Sequence, residues 1–149
     1  DPGDRVEFRL AANPGIDPAP LQRAASGGEL SRVLLALRLV LSGGPDTMVF
    51  DEVDAGIGGA TALEVGRALA EVAEGSQVLV VTHLAQVAVF ADQQIQVLKS
   101  AEGQTTRVRT SLLEAHARVD EIARMLGGRL SAQSRAHASE LLATASTQH

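Results

Sequence analysis

Three carboxylates stand within four positions at Asp51, Glu52 and Asp54, directly after the apolar run Thr47 to Phe50. Carboxylates this close repel one another unless a cation or several donors compensate them. At the carboxyl end of a buried parallel strand they occupy the place where open α/β sheets bind ligands. An Asp there can hold Mg²⁺ through water, and a neighbouring Glu can orient or deprotonate an attacking water. Acids also end strands without any chemistry, so Asp51-Glu52 is a candidate pair on its spacing alone.

His83 follows a second apolar run, Val78-Leu79-Val80-Val81-Thr82. A lone His at a strand end is more often structural than catalytic. Here, if the two runs form adjacent parallel strands, His83 and Glu52 emerge at the same edge of the sheet, within reach of one ligand. His116, His137 and His149 have no such context and read as solvated.

The third site is Ala25-Ser26-Gly27-Gly28-Glu29, at the start of a helical pattern. Ser26 and Glu29 have the spacing of a capping box. Capping does not need two glycines, each of which costs a helix roughly 0.5 to 1 kcal/mol against Ala. Their presence points to a backbone or an anion approaching the turn, where free amides and the helix dipole favour phosphate. Capping and anion binding both fit these residues.

The elements that must position these sites follow from periodicity. Val6, Phe8 and Leu10 alternate with Glu7 and Arg9 as in a half-buried strand, ended by Asn13-Pro14-Gly15. Ile16 to Ala25 reads as a loop. Leu30, Val33, Leu34, Leu37 and Leu41 have helical spacing, stopped by Gly43-Gly44-Pro45. Thr47 to Phe50 and Val78 to Val81 read as strands buried on both faces, joined through a helix over Ala60 to Glu74. This strand-helix-strand order predicts a crossover in a parallel sheet, and so an α/β lobe. A short helix from Leu84 to Phe90 leads to an edge hairpin, Gln94 to Lys99 and Thr105 to Thr110. Val119, Ile122, Ala123 and Leu126 mark an amphipathic helix capped by Gly127-Gly128, and a weaker helix runs from Ser131 to about Ala145.

The chain has 149 residues, roughly one domain. Without cysteine it has no disulfide, thiolate zinc site or Cys nucleophile, which suits a reducing compartment. No apolar run approaches the roughly 18 to 20 residues of a membrane span. It opens Asp1-Pro2-Gly3-Asp4, with no initiator Met and no leader pattern, so it reads as a piece of something longer. Aromatics at 2% argue against base stacking, and a net charge of −5 against a generally cationic surface. Any DNA contact is expected on a local patch or outside this chain. Arg107 and Arg109 share one face of the hairpin with Lys99 nearby, a pattern that a solvated edge strand also explains.

The order of these motifs resembles the C-terminal half of an ABC-type ATPase head: a signature loop opening a helix, a strand ending in Asp-Glu, a turn with Asp, and a strand ending in His. Ser26-Gly27-Gly28 followed by Glu29, where transporters typically have Gln, is similar to the SMC-like branch. The strings from Ala25 to Leu37, Phe50 to Gly59 and Val81 to Ala88, with the late Met125-Leu126-Gly127-Gly128, are most similar to the RecN family of bacterial DNA repair proteins. The resemblance covers roughly Leu21 to Leu142.

It implies Asp51 as the Walker B aspartate supporting Mg²⁺, Glu52 as the water-activating glutamate and His83 as the switch histidine on the γ-phosphate. Ser26, Gly27, Gly28 and Glu29 would be the signature that meets ATP held by the opposite subunit. Asp54 would lie in the D-loop at the dimer interface. Ala25 departs from the Leu of many relatives. A larger departure is the missing P-loop: the one lysine, Lys99, stands in Val97-Leu98-Lys99-Ser100 with no preceding glycines. The resemblance therefore implies the C-terminal lobe of a split head. Such a lobe would need an N-terminal Walker A lobe, a coiled coil, a second head and DNA as partners, act in the bacterial cytoplasm at the nucleoid, and be inactive alone. The alternatives are a head of another SMC-like or ABC type, and a Mg²⁺-binding interaction module without turnover.

Overall fold

The computed structural model describes residues 3, 6–11, 14–41, 44–102, 105–127 and 129–147. Strand β3 (Thr47–Phe50) pairs in parallel with β4 (Gln77–Val80), in the register Thr47↔Gln77 to Phe50↔Val80, and helix α3 (Gly59–Ala73) makes the crossover. The Val81 N–H donates to the Phe50 carbonyl at 3.0 Å and carries the pairing one step further. This is the α/β unit expected from the two apolar runs.

The expectation that both strands are buried on two faces is corrected. Met48 and Phe50 are buried, whereas Val49, their neighbour on the opposite face, is 63% exposed, and so are Leu79 and Val81 in part. The pair forms a sheet of two strands, and the packed core covers only one of its faces.

Upstream, β1 (Arg9–Leu10) pairs antiparallel with β2 (Ala19–Pro20), and α1 (Leu21–Ala24) follows. The strand expected from Val6 is thus reduced to two paired residues, and the segment read as a loop holds two short elements. A tertiary bond makes the difference: the Leu21 N–H donates to the Phe8 carbonyl at 2.9 Å. Val6 and Phe8 alternate in sequence but have no surface to pack on, and both are exposed.

Helix α2 (Gly27–Val40) begins three residues before its apolar stripe, because Ser26 caps it. After β4 come α4 (Ala85–Ala88), the antiparallel hairpin β5 (Ile95–Glu102) and β6 (Thr105–Leu112), then α5 (Ala115–Gly127) and α6 (Ala132–Ser146). Strand β5 begins one residue later than expected and runs on to Glu102, and β6 runs on to Leu112. Gly43 and Gly128, read as stops, lie outside the described residues, as does Asn13; so do Gly103 and Gln104 between the two hairpin strands.

Among the described residues, two buried clusters hold the lobe. Leu35 of α2, Met48 and Phe50 of β3, Val53, and Ala62, Val65 and Leu69 of α3 form one, closed by Val87 of α4. Ala70, Phe90, Ile122, Ala123 and Ala138 form the other, joining α3 to α5 and α6. Helix α3 contributes to both and is the shared wall. Gly66 on α3 makes this possible, since a Cβ there would meet the Phe90 ring at 2.5 Å and the Gln86 carbonyl at 3.0 Å.

Candidate functional site

Residues 51–55 turn sharply out of β3. Glu52 has φ of +56°, a left-handed backbone that costs a non-glycine residue about 1 to 2 kcal/mol. Its N–H donates to Asp51 Oδ1 at 2.9 Å, and its carbonyl accepts from the Ala55 N–H at 2.9 Å. Asp51 and Glu52 are both exposed.

The Ser26 to Glu29 turn packs onto this loop. Ser26 accepts from the Glu29 N–H at 3.4 Å, while Glu29 Oε2 accepts from the Ser26 N–H at 2.7 Å and its hydroxyl at 2.8 Å. The capping box is therefore complete, and these donations from Ser26 hold the Glu29 carboxyl below its ordinary range. The glycines serve the close approach that the sequence called for. A Cβ on Gly28 would lie 2.7 Å from the Glu52 carbonyl oxygen and 2.9 Å from Ala55 Cβ. A Cβ on Gly27 would lie 2.5 Å from Glu52 Oε2, so the Glu52 carboxylate rests against the first turn of α2.

Two side chains one turn further along α2 clamp the loop. The Ser31 hydroxyl donates to the Asp51 carbonyl at 2.7 Å. Arg32 Nη1 donates to the carbonyls of Val53 at 3.1 Å and Ala55 at 2.9 Å. Reading the sequence for chemistry missed both, although their i+3 and i+4 spacing from Gly28 places them on the face that the glycine turn presents.

Asp54 turns inward and is 3% exposed. Its Oδ2 accepts from the Thr82 hydroxyl at 2.5 Å and the His83 N–H at 3.0 Å, and lies 3.1 Å from His83 Nδ1. Burial pushes its carboxyl up, but the donations from Thr82 and His83 outweigh that and hold it below the ordinary range. Thr82 was also missed; its hydroxyl accepts from the Leu84 N–H at 3.0 Å and turns the chain into α4.

The structure thus brings the predicted site residues together in two sets of contacts linked by the loop after β3. Glu52 rests against the turn at Gly27 and Gly28, Ser31 reaches Asp51, and Asp54 holds His83 at the end of the neighbouring strand. The three carboxylates diverge, and among the described residues no three His, Asp or Glu side chains are grouped to hold a metal ion. His116 and His137 are exposed, away from these contacts, while His149 lies outside the described residues. Lys99 pairs with Val108 on the hairpin, on the face opposite Arg107 and Arg109.

Among curated proteins, this chain is 52% identical over 145 residues to DNA repair protein RecN of Streptomyces coelicolor, a match that covers 95% of the chain. It is 51% identical over 138 residues to that of Deinococcus radiodurans and 47% over 148 residues to that of Treponema pallidum. Over the segment it spans, the chain is similar to RecN proteins. It covers 25%, 24% and 26% of those three RecN proteins, about a quarter of their length. No protein-family model matches it. A solved structure described as "Structural biochemistry of ATP-driven dimerization and DNA stimulated activation of SMC ATPases" aligns at a TM-score of 0.49 and 24% identity, covering 78% of this chain and 70% of that one. No described helix of the chain is long and apolar enough to cross a membrane.

Proposed function

We propose that the chain is the C-terminal lobe of a split ABC-type ATPase head, acting in DNA double-strand break repair and recombination through ATP-driven head dimerisation. The observation that carries this reading is the single assembly of Asp51-Glu52, the Ser26-Gly27-Gly28 turn and His83 at the carboxyl ends of two paired parallel strands. Glu52 is the general base that orients and deprotonates water, and His83 senses the γ-phosphate. Ser26, Gly27, Gly28 and Glu29 meet nucleotide held by a second head, using the free amides and positive dipole end of α2.

The residues fit Mg²⁺ and ATP in part. Asp51 is exposed at a strand end, and its carboxylate accepts only the adjacent amide among the described donors, so it suits a cation held through water. Mg²⁺ bound there would neutralise charge on the phosphates. Nothing in this chain supplies a phosphate-gripping lysine, because Lys99 lies on a hairpin strand. That function falls to an N-terminal Walker A lobe, reached through a coiled coil in the complete protein. The open face of the β3–β4 pair, with Val49, Leu79 and Val81 exposed, supports such a lobe as the missing cover. DNA is the partner of the assembled protein, in the bacterial cytoplasm.

Glu52→Gln in the full-length protein tests the base. It is expected to trap ATP-bound dimers and reduce hydrolysis by about 10² to 10⁴-fold; unchanged hydrolysis overturns the assignment. Ser26→Arg should spoil ATP-dependent dimerisation in sizing experiments while leaving nucleotide binding by one head intact.

A further inference from the structure

We propose that Asp54 is the positioning residue of His83, accepting the imidazole Nδ1–H so that Nε2 is presented to the γ-phosphate in one orientation. This rests on the ATPase reading above and adds to it a role for Asp54 within its own chain.

The geometry separates two tasks that one carboxylate oxygen performs. A buried carboxylate needs donors, and the Thr82 hydroxyl at 2.5 Å and the His83 N–H at 3.0 Å supply them. The imidazole contact at 3.1 Å is not needed for burial, because the His83 side chain is 76% exposed and water could serve it. What this contact does is order the ring. Oδ2 holds both the backbone N–H and Nδ1 of the same residue, which restrains both side-chain torsions of His83. A free histidine at a strand end would sample several rotamers. An ionised carboxylate only accepts, so the Nδ1 facing it carries a proton, and Nε2 is the nitrogen left for a ligand.

The anchor is itself rigid. Asp54 lies in a turn closed by the Ala55 N–H on the Glu52 carbonyl and gripped by Arg32 at Val53 and Ala55. A shift of α2, carrying the loop with it, would therefore reach His83 through Asp54, which links the signature turn to the γ-phosphate sensor.

The imidazole tautomer tests this without nucleotide. In the ¹⁵N-labelled chain, long-range ¹H–¹⁵N spectra should show neutral His83 protonated on Nδ1; a dominant Nε2–H form in the wild type overturns the proposal whatever the variants do. Asp54→Ala should move His83 to the Nε2–H form that free imidazole prefers. Thr82→Val, which also removes a bond to the carboxylate but leaves Nδ1 untouched, should keep the Nδ1–H form. In the full-length protein Asp54→Ala should lower kcat by about 10 to 100-fold with KM for ATP changed less than about threefold, the range seen when carboxylates that orient functional imidazoles are removed. Equal kcat losses in Asp54→Ala and Thr82→Val would assign Asp54 a purely structural role and overturn the proposal. Failure of the ATPase reading looks different: the full-length protein would show no turnover sensitive to Glu52→Gln, while the His83 tautomer would still report the Asp54 bond.

Discussion

Gly27 and Gly28 look equivalent in the sequence but face different neighbours. Gly28 is confronted by a backbone carbonyl and the Cβ of Ala55, neither of which can move without opening the loop. Gly28→Ala should cost about 1 to 3 kcal/mol, as overpacking usually does. Gly27 meets only the far end of the Glu52 side chain, which can swing away. Gly27→Ala should leave the urea midpoint nearly unchanged, and a loss equal to that of Gly28→Ala would contradict this account. Four carboxyls, Glu29, Asp54, Asp120 and Glu121, are held below their ordinary range in the folded chain. For Asp120 the Arg135 guanidinium is the main cause, and for Glu121 the Arg124 guanidinium. A depressed folded value means stability that is fully present above about pH 5 and lost as pH falls through the folded values. The urea midpoint should therefore fall below about pH 4; a midpoint that rises on acidification would refute the assignment.

Among the elements, α2 does more than open on the Ser26 to Glu29 turn. Arg32 and Ser31 fasten it to the loop after β3, so helix and loop move as one body. Arg32→Ala should lower stability by about 1.5 to 3 kcal/mol, the usual range for hydrogen bonds to a charged donor. Arg32→Lys should recover only part of this, because a lysine ammonium ends one bond short of the Nη1 position that reaches both carbonyls. Denaturation of the three proteins side by side checks both statements. Farther off, Ile122 of α5 is fully buried, and Ile122→Ala should cost about 2 to 5 kcal/mol through the cavity it leaves. The hairpin is tied to this helix where Gln96 donates to Glu121 at 2.6 Å, with Arg124 pairing the same carboxylate at 2.7 Å. Helix periods, the crossover order and the capping box were legible because each depends on neighbours within a few residues. The two short elements between Ile16 and Ala25 were not, since β2 exists only through pairing with β1.

For the molecule as a whole, the two-stranded parallel sheet leaves Val49, Leu79 and Val81 uncovered. Their apolar character reads as a fully buried strand, and in this chain that burial is unfulfilled. Val49→Thr with Leu79→Thr should leave the stability of the chain alone within about 0.5 kcal/mol, because exposed positions contribute little. In the full-length protein the same pair should cost several-fold more if a further lobe covers the face, and calorimetry of both proteins makes the comparison. The purified chain should show no ATP turnover, for want of a phosphate-gripping lysine; measurable turnover sensitive to Glu52→Gln would refute that.

Residue types and spacing were enough to nominate Asp51, Glu52, Asp54, His83 and the Ser26 to Glu29 turn as candidates, because strand ends and helix caps are written in short local patterns. They were enough, too, for the α/β order and for the similarity to RecN proteins over this segment. Only the folded chain decided that Asp54 points inward to Thr82 and His83 rather than lying beside Asp51 and Glu52. Only it revealed Arg32 as the clamp and Gly28 as the tighter of the two glycines. These are contacts across 20 to 30 residues of sequence, made by a left-handed turn at Glu52 and by the packing of α2 on β3. No local pattern encodes them, since each depends on where two distant backbones meet.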